Sequence, residues 1–295
     1  MTETRATDPE ASRPAAGEID VPWNLVVPEV DLHLVGYGNR FPNDFTLEML
    51  AVLRHCKRIF GAPPLHAPDF GMPPMEGLMH LYSPGRPRKQ TYAEMVDIVL
   101  AAAAADPPVA FATYGSVMVG TTAGHRLLEE ARRRALTVHV SNAASSFDGI
   151  WADFNIEPFC GFEVWEASTF MRLAIEPNTR ANLLLPQAPI FDVAEGLDPG
   201  TMSIRTSTGV AVLRDYLLRF YPPSHIVHYA KTGSGADSHH MRAEIESFPL
   251  SDLDNPGVQQ ISTLFVPRLA WAGQGKLDFD SPALQGAQSH GQHHR

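Results

Sequence analysis

The first clear apolar run is Leu32-His33-Leu34-Val35, which breaks at Gly36-Tyr37-Gly38 and reads as a short strand entering a turn. Beyond a Pro-Asn-Asp stretch, Thr46 is placed to cap a helix carrying Leu47, Leu50 and Leu53. Thr91-Tyr92-Ala93-Glu94 matches a capping box, with Thr91 as N-cap and Glu94 reaching back. Met95, Ile98, Val99 and Ala102 follow at helical spacing, and Asp106-Pro107-Pro108 stops that helix. Val109-Ala110-Phe111-Ala112-Thr113 predicts a buried strand that ends at Tyr114-Gly115. A helix over about 123–134 and a strand over 136–140 come next. Strands alternating with helices predict parallel pairing through crossovers, and so an α/β lobe.

From about residue 142 the pattern is mixed. Strands are expected at 162–165, 182–185, 226–229 and 261–266, with a helix over 210–221. The domain reading is a flexible arm over 1–29, an N-terminal α/β lobe over 30–141, a C-terminal α+β lobe over 142–270 and a flexible tail over 271–295.

Composition narrows the class. With 295 residues the chain is long enough to bury a large core. Apolar residues at 44% and charged residues at 19% are ordinary globular values. A net charge of −10 argues against a nucleic-acid partner, which needs a basic face. No apolar run nears the roughly 18 residues that suggest a membrane span. The first residues lack the apolar core of a signal peptide, so a cytoplasmic location without a membrane partner is expected. Cys56 and Cys160 lack metal-ligand spacing and read as buried free thiols. His239-His240 and the terminal His290, His293 and His294 form no helical ligand pair, so no metal is expected.

Candidate chemistry sits where strands end. Gly36-Tyr37-Gly38 lets backbone approach a ligand, but the third glycine of a dinucleotide fingerprint is missing. The 114–122 loop leaves a buried strand at the edge where open α/β sheets bind ligands. Ser141-Asn142-Ala143-Ala144-Ser145-Ser146 follows another strand, and Ser145 or Ser146 can bond a ligand or cap the next helix. In the 82–92 segment, Tyr82 and Tyr92 flank Arg86 and Arg88 just before a helix start. The helix dipole does not explain arginine there. The plain reading is a solvated basic loop. The sharper one is a cation and phenols that handle a developing anion.

The run from Leu32 to Phe60, the strand and Tyr-Gly turn leading into the helix ending near Arg134, and the stretch over 141–156 resemble the tetrapyrrole methylases. Tyr82, Arg88, Thr91-Tyr92 and Met95 are spaced as in the borosin peptide backbone α-N-methyltransferases of that superfamily. Tyr114-Gly115, Trp165-Glu166-Ala167-Ser168, His228-Tyr229 and Ser262-Thr263 fall in the same order. The resemblance implies an α/β, two-lobed fold with S-adenosylmethionine (SAM) in the interlobe cleft. Carried over by position, it implies that Tyr114, Ser116, Val119, Ser146, Gln187, Tyr229, Ser262 and Thr263 contact SAM. Arg88, Tyr92 and Tyr114 become the catalytic set, with Tyr82 beside them. A homodimer is implied as well.

Two positions depart from the family's fungal members: Ser116 replaces a histidine and Met79 a tyrosine. Residues 285–295 hold no run of Val, Ile or Leu to be methylated, and the expectation is a split enzyme acting in trans on a separate precursor peptide. In the implied mechanism Tyr92 takes the amide proton, directly or through a water, and Arg88 lowers the Tyr92 phenol and binds the amide oxygen. Tyr114 orients the amide. The competing readings are methylation of a small molecule such as a tetrapyrrole, and a non-catalytic SAM- or peptide-binding protein.

Overall fold

The computed structural model describes residues 25–40, 42–63, 65, 70–193, 207–233, 243–254 and 262–269. The expected arm before residue 25, the tail after 270 and the histidines at 239, 240, 290, 293 and 294 lie outside them. The first half builds a sheet from β1 (Leu32–Gly36), β2 (Arg58–Gly61), β3 (Met75–Gly77), β4 (Val109–Thr113) and β5 (Val138–Val140). Its order is β3-β2-β4-β1-β5 and its pairs are parallel. Three helices cover it: α1 (Leu47–His55), α2 (Arg88–Ala105) and α3 (Thr122–Arg133).

The period of two along each strand sorts the core. Leu32, Leu34, Val109 and Phe111 pack under α2 and α3 with Met95, Val99 and Leu127. Val35, Ile59, Ala110 and Ala112 face Met49, Val52 and Leu53 of α1. Because both faces are covered, β4 is buried at every position and shows no polar alternation. Burial of a side chain such as Phe111 contributes about 1.5–3 kcal/mol.

The second half builds another sheet from β6 (Phe162–Val164), β7 (Asn182–Pro186), β8 (Ile226–Lys231), β9 (Glu244–Pro249) and β10 (Thr263–Val266). Its order is β6-β7-β10-β8-β9, with β6–β7 parallel and the other pairs antiparallel. One face packs on Ile150 and Phe147 of α4 (Ser146–Asp153). The other packs on α5 (Ala167–Arg172) and α6 (Val210–Leu217) through Phe170 and Leu213. Among the described residues no helix is long and apolar enough to cross a membrane.

Thr46 caps α1, accepting from the Met49 amide at 3.1 Å, as its position predicts. Thr91 does not cap α2. The helix starts four residues earlier than expected, at Arg88, with Pro87 at the N-cap in extended geometry. Thr91 is buried inside the first turns, its hydroxyl toward the Leu81 carbonyl. Glu94 pairs with Arg86 at 2.5 Å instead of reaching back. The polar run from Arg88 to Gln90 hid the helix start from an apolar pattern. Boundaries also moved. The strand expected over 136–140 begins at Val138, the helix over 210–221 stops at Leu217, and the last strand begins at Thr263. Cys160 is exposed, and Cys56 is buried as expected, which pushes its thiol up to about 12.

His33 on β1 is fully buried, its ring edge-on to His139 at 5.6 Å and His55 at 6.4 Å. Glu48 holds His139 at 2.9 Å, and Glu29 lies 3.9 Å from His55. Burial first, then the two neighbouring imidazoles, push His33 from 6.5 down to about 4. The unfolded chain therefore takes up the proton at a higher pH than the folded one. Stability is full above pH 6.5 and falls as the pH drops toward 4, by roughly 3 kcal/mol in the limit. Urea unfolding at pH 7.5 and pH 5 checks this, and His33→Met should flatten the difference. An unchanged pH dependence in that variant would exclude His33 as its source.

Candidate active site

The C-terminal ends of the first sheet's strands converge on one edge. At the end of β1, a Cβ on Gly36 would lie 2.3 Å from the Gly115 carbonyl oxygen and 2.7 Å from the Ala143 Cβ. The loops after β1, β4 and β5 therefore touch at a point that admits only glycine. Gly38 and Gly115 exchange backbone bonds of 3.2 and 2.7 Å, and the Tyr37 amide donates to the Thr113 carbonyl at 2.9 Å. Thr113 donates to the Ala62 carbonyl at 2.8 Å, which ties the β2 loop to the same edge.

Above this edge the chain places Tyr82, Arg88, Tyr92 and Tyr114. Tyr82 ends a short 3-10 turn over Met79–Leu81. Arg88 and Tyr92 are four residues apart at the start of α2, and so share one helix face. The rings of Tyr82 and Tyr92 meet edge-on at 6.4 Å. Burial pushes the Tyr82 phenol well above its ordinary range, Tyr92 and Tyr114 add to this, and the Arg88 charge only partly opposes it. The Tyr114 phenol is likewise raised, by the surrounding protein first and by Tyr92 second, although 52% of the residue stays open.

The two arginines of this segment have different tasks. Arg86 holds its own turn together, donating to the Leu81 carbonyl at 2.9 Å and pairing with Glu94. Arg88 reaches across to the second half of the chain and donates to the Val193 carbonyl. Sequence reading missed Val193 and Tyr37. Tyr37 is buried, donates to the Pro63 carbonyl at 3.0 Å and has its phenol raised by burial and by Tyr114. Its place inside the Gly-Tyr-Gly turn was the available signal. Val193 acts through its main chain, which leaves no side-chain signature.

The remaining sequence-predicted residues fall into four groups. Ser116 and Val119 follow Tyr114 in one turn, where the Ser116 hydroxyl accepts from the Met118 amide at 3.3 Å. Ser145 caps α4 in a capping box with Asp148, so Ser146 is the serine that the cap does not use. Gln187 sits in the left-handed region at φ 59°, between β7 and a 3-10 turn. Such a non-glycine conformation costs free energy and gathers at functional sites. Tyr229 and Ser262, both buried, line a small cavity with Lys231, Glu244, Ile245 and Glu246, and Thr263 follows in β10.

The Ser141 hydroxyl, buried at the end of β5 with no partner among the described residues, supplies an unused polar group at the same edge. Among the described residues no three of His, Cys, Asp and Glu gather closely enough to hold a metal ion.

Comparison with known proteins agrees with this architecture. Residues 31–249 match the family model of Tetrapyrrole (Corrin/Porphyrin) Methylases. The methyltransferase and cyclic-peptide dendrothelin A precursor of Dendrothele bispora is 26% identical over 200 residues, covering 64% of this chain and 45% of that protein. A methyltransferase and type III borosin cyclic-peptide precursor of Anomoporia bombycina is 24% identical over 246 residues, covering 80% of this chain and 28% of that protein. The chain thus spans less than half the length of these curated relatives. Among solved structures, the uroporphyrin-III-C-methyltransferase of Thermus thermophilus superposes with a TM-score of 0.53 at 16% identity, covering 80% of this chain and 91% of that one. The same enzyme complexed with S-adenosyl homocysteine gives 0.52 at 14% identity, covering 80% and 96%. With three quarters of its length under one family model, and with the strand-end site that the fold provides, the chain belongs to the tetrapyrrole (corrin/porphyrin) methylase family.

Proposed function

We propose that this SAM-dependent methyltransferase methylates backbone amide nitrogens of a peptide. The observation that carries the reading is the grouping of Arg88 with the phenols of Tyr82, Tyr92 and Tyr114 at the ligand edge of the parallel sheet. The names of the two fungal relatives, which join a methyltransferase to a ribosomally synthesized peptide precursor, point the same way.

When bound, SAM supplies an electrophilic methyl group on a sulfonium. Tyr114, Ser116, Val119, Ser146, Gln187, Tyr229, Ser262 and Thr263 are the residues assigned to hold it. A peptide nitrogen is a poor nucleophile because its lone pair is delocalised into the carbonyl. Loss of the N–H proton leaves an imidate whose negative charge rests largely on oxygen. Arg88 is assigned to that oxygen, where a fixed cation is worth more as the charge grows. Tyr82 and Tyr114 have raised pKa values, so they keep their protons at neutral pH and serve as donors rather than bases. Tyr92 is assigned to the departing proton, directly or through a water.

The test is incubation of the full chain with SAM and a panel of separate peptides. S-adenosylhomocysteine release and peptide mass gains in single-methyl steps are expected. Tyr92→Phe should cut the rate about 100-fold while calorimetric SAM binding stays unchanged. Turnover of a small cyclic substrate alone, with every peptide inert, would replace this reading with small-molecule methylation.

A further inference from the structure

Arg88 occupies the first turn of α2, where the helix end carries partial positive charge and an arginine gains nothing from the dipole. Its guanidinium is nevertheless held, and the holder is the main-chain carbonyl of Val193, 105 residues away. Val193 is 1% exposed and packs with Ile190, itself buried, so the carbonyl is anchored from below by an apolar side chain. The same short span is pinned twice more. Ser168 donates to the Phe191 carbonyl, and the Pro189 carbonyl accepts from the Ser207 amide at 2.6 Å. At the head of the span stands Gln187 in its left-handed conformation.

We propose that Val193 is a positioning residue for Arg88, contributed by the second half of the chain. An arginine presents its donors in a planar fork. The Val193 carbonyl takes one terminal N–H, which fixes the orientation of the plane and leaves the other donors for the substrate oxygen. The charged group is thereby seated only when the 187–193 span is seated. This inference rests on the assignment of Arg88 to the substrate oxygen.

Val193→Ala removes the buried anchor without touching Arg88. In the full-length protein without substrate, phenylglyoxal labelling of Arg88, read by peptide mass spectrometry, is expected to speed up several-fold. With a methyl-accepting peptide, kcat is expected to fall about fivefold with KM for SAM unchanged. Val193→Ile, which keeps a branched apolar anchor, should restore both. In an Arg88→Lys background, Val193→Ala should lower kcat by less than about twofold, because its effect passes through the guanidinium. If Val193→Ala does not fold, Ser168→Ala loosens the same span at Phe191 and takes its place. Unchanged labelling overturns the hold. A higher kcat in Val193→Ala, or fully additive losses, overturns the positioning role. Faster labelling with no change in kcat leaves the hold standing and refutes the catalytic assignment of Arg88, so the two failures are distinguishable.

Discussion

Arg88→Ala should lower the rate of methyl transfer by about 10²–10³-fold, with SAM affinity changed by less than about twofold. The size follows from what the side chain faces. Of the phenols beside it, Tyr82 and Tyr114 are donors of modest strength, both pushed away from ionisation by burial first and by Tyr92 second. Neither can match a full positive charge as the amide oxygen becomes anionic. Arg88→Lys should recover little, because an ammonium cannot bond the Val193 carbonyl and a substrate oxygen with one planar fork. The loss belongs to catalysis rather than folding, since Arg88 is only half-buried at a helix start. Single-turnover rates with saturating SAM, beside a thermal melt of each variant, separate the two. Full activity in Arg88→Ala would remove the cation from the mechanism.

Gly36→Val should cost stability rather than chemistry, because it acts on the frame that carries the reacting groups. Its new Cβ would fall 2.3 Å from a backbone oxygen and 2.7 Å from the Ala143 Cβ, neither of which is the end of a flexible side chain. Overpacking of this kind costs about 1–3 kcal/mol where neighbours can shift, and here a whole turn must move. Gly36→Ala meets the same contacts and should show the lower end of that range. Both should weaken SAM binding if the proposed assignment holds, since Tyr114, Ser116 and Val119 follow β4 and the loop after β5 leads into Ser146. Urea unfolding and SAM calorimetry measure the two losses. A Gly36→Val protein with native stability and native SAM affinity would show that the three loops are not held together at this glycine.

The buried parallel strand at Val109–Thr113 and the capped helix from Leu47 were readable because one physical signal governed each. The start of α2 was not, because Thr91-x-x-Glu94 satisfies a local pattern that burial of Thr91 and the Arg86–Glu94 pair override. β2, β3 and α5 are too short to show a period. β9 opens with Glu-Ile-Glu-Ser, exposed at all four positions on a sheet edge, and so lacks the alternation of a half-buried strand. Within the site, the Tyr82–Arg88–Tyr92 spacing was visible through likeness to a family. The bond to Val193 was invisible because it joins a side chain to a backbone atom across 105 residues.

Arg88 and Tyr92 stand one turn apart on a helix clamped by Met95, Val99 and Leu100 in the core. Four residues of rise set their Cα atoms about 6 Å apart along the axis. Their separation is a ruler written into the main chain rather than a product of loop conformation. The loop before it is tied to the same helix by the Arg86–Glu94 pair, so the cation and the phenol move as one unit with it. A shift of α2 along its axis would therefore carry both groups together and leave their spacing unchanged.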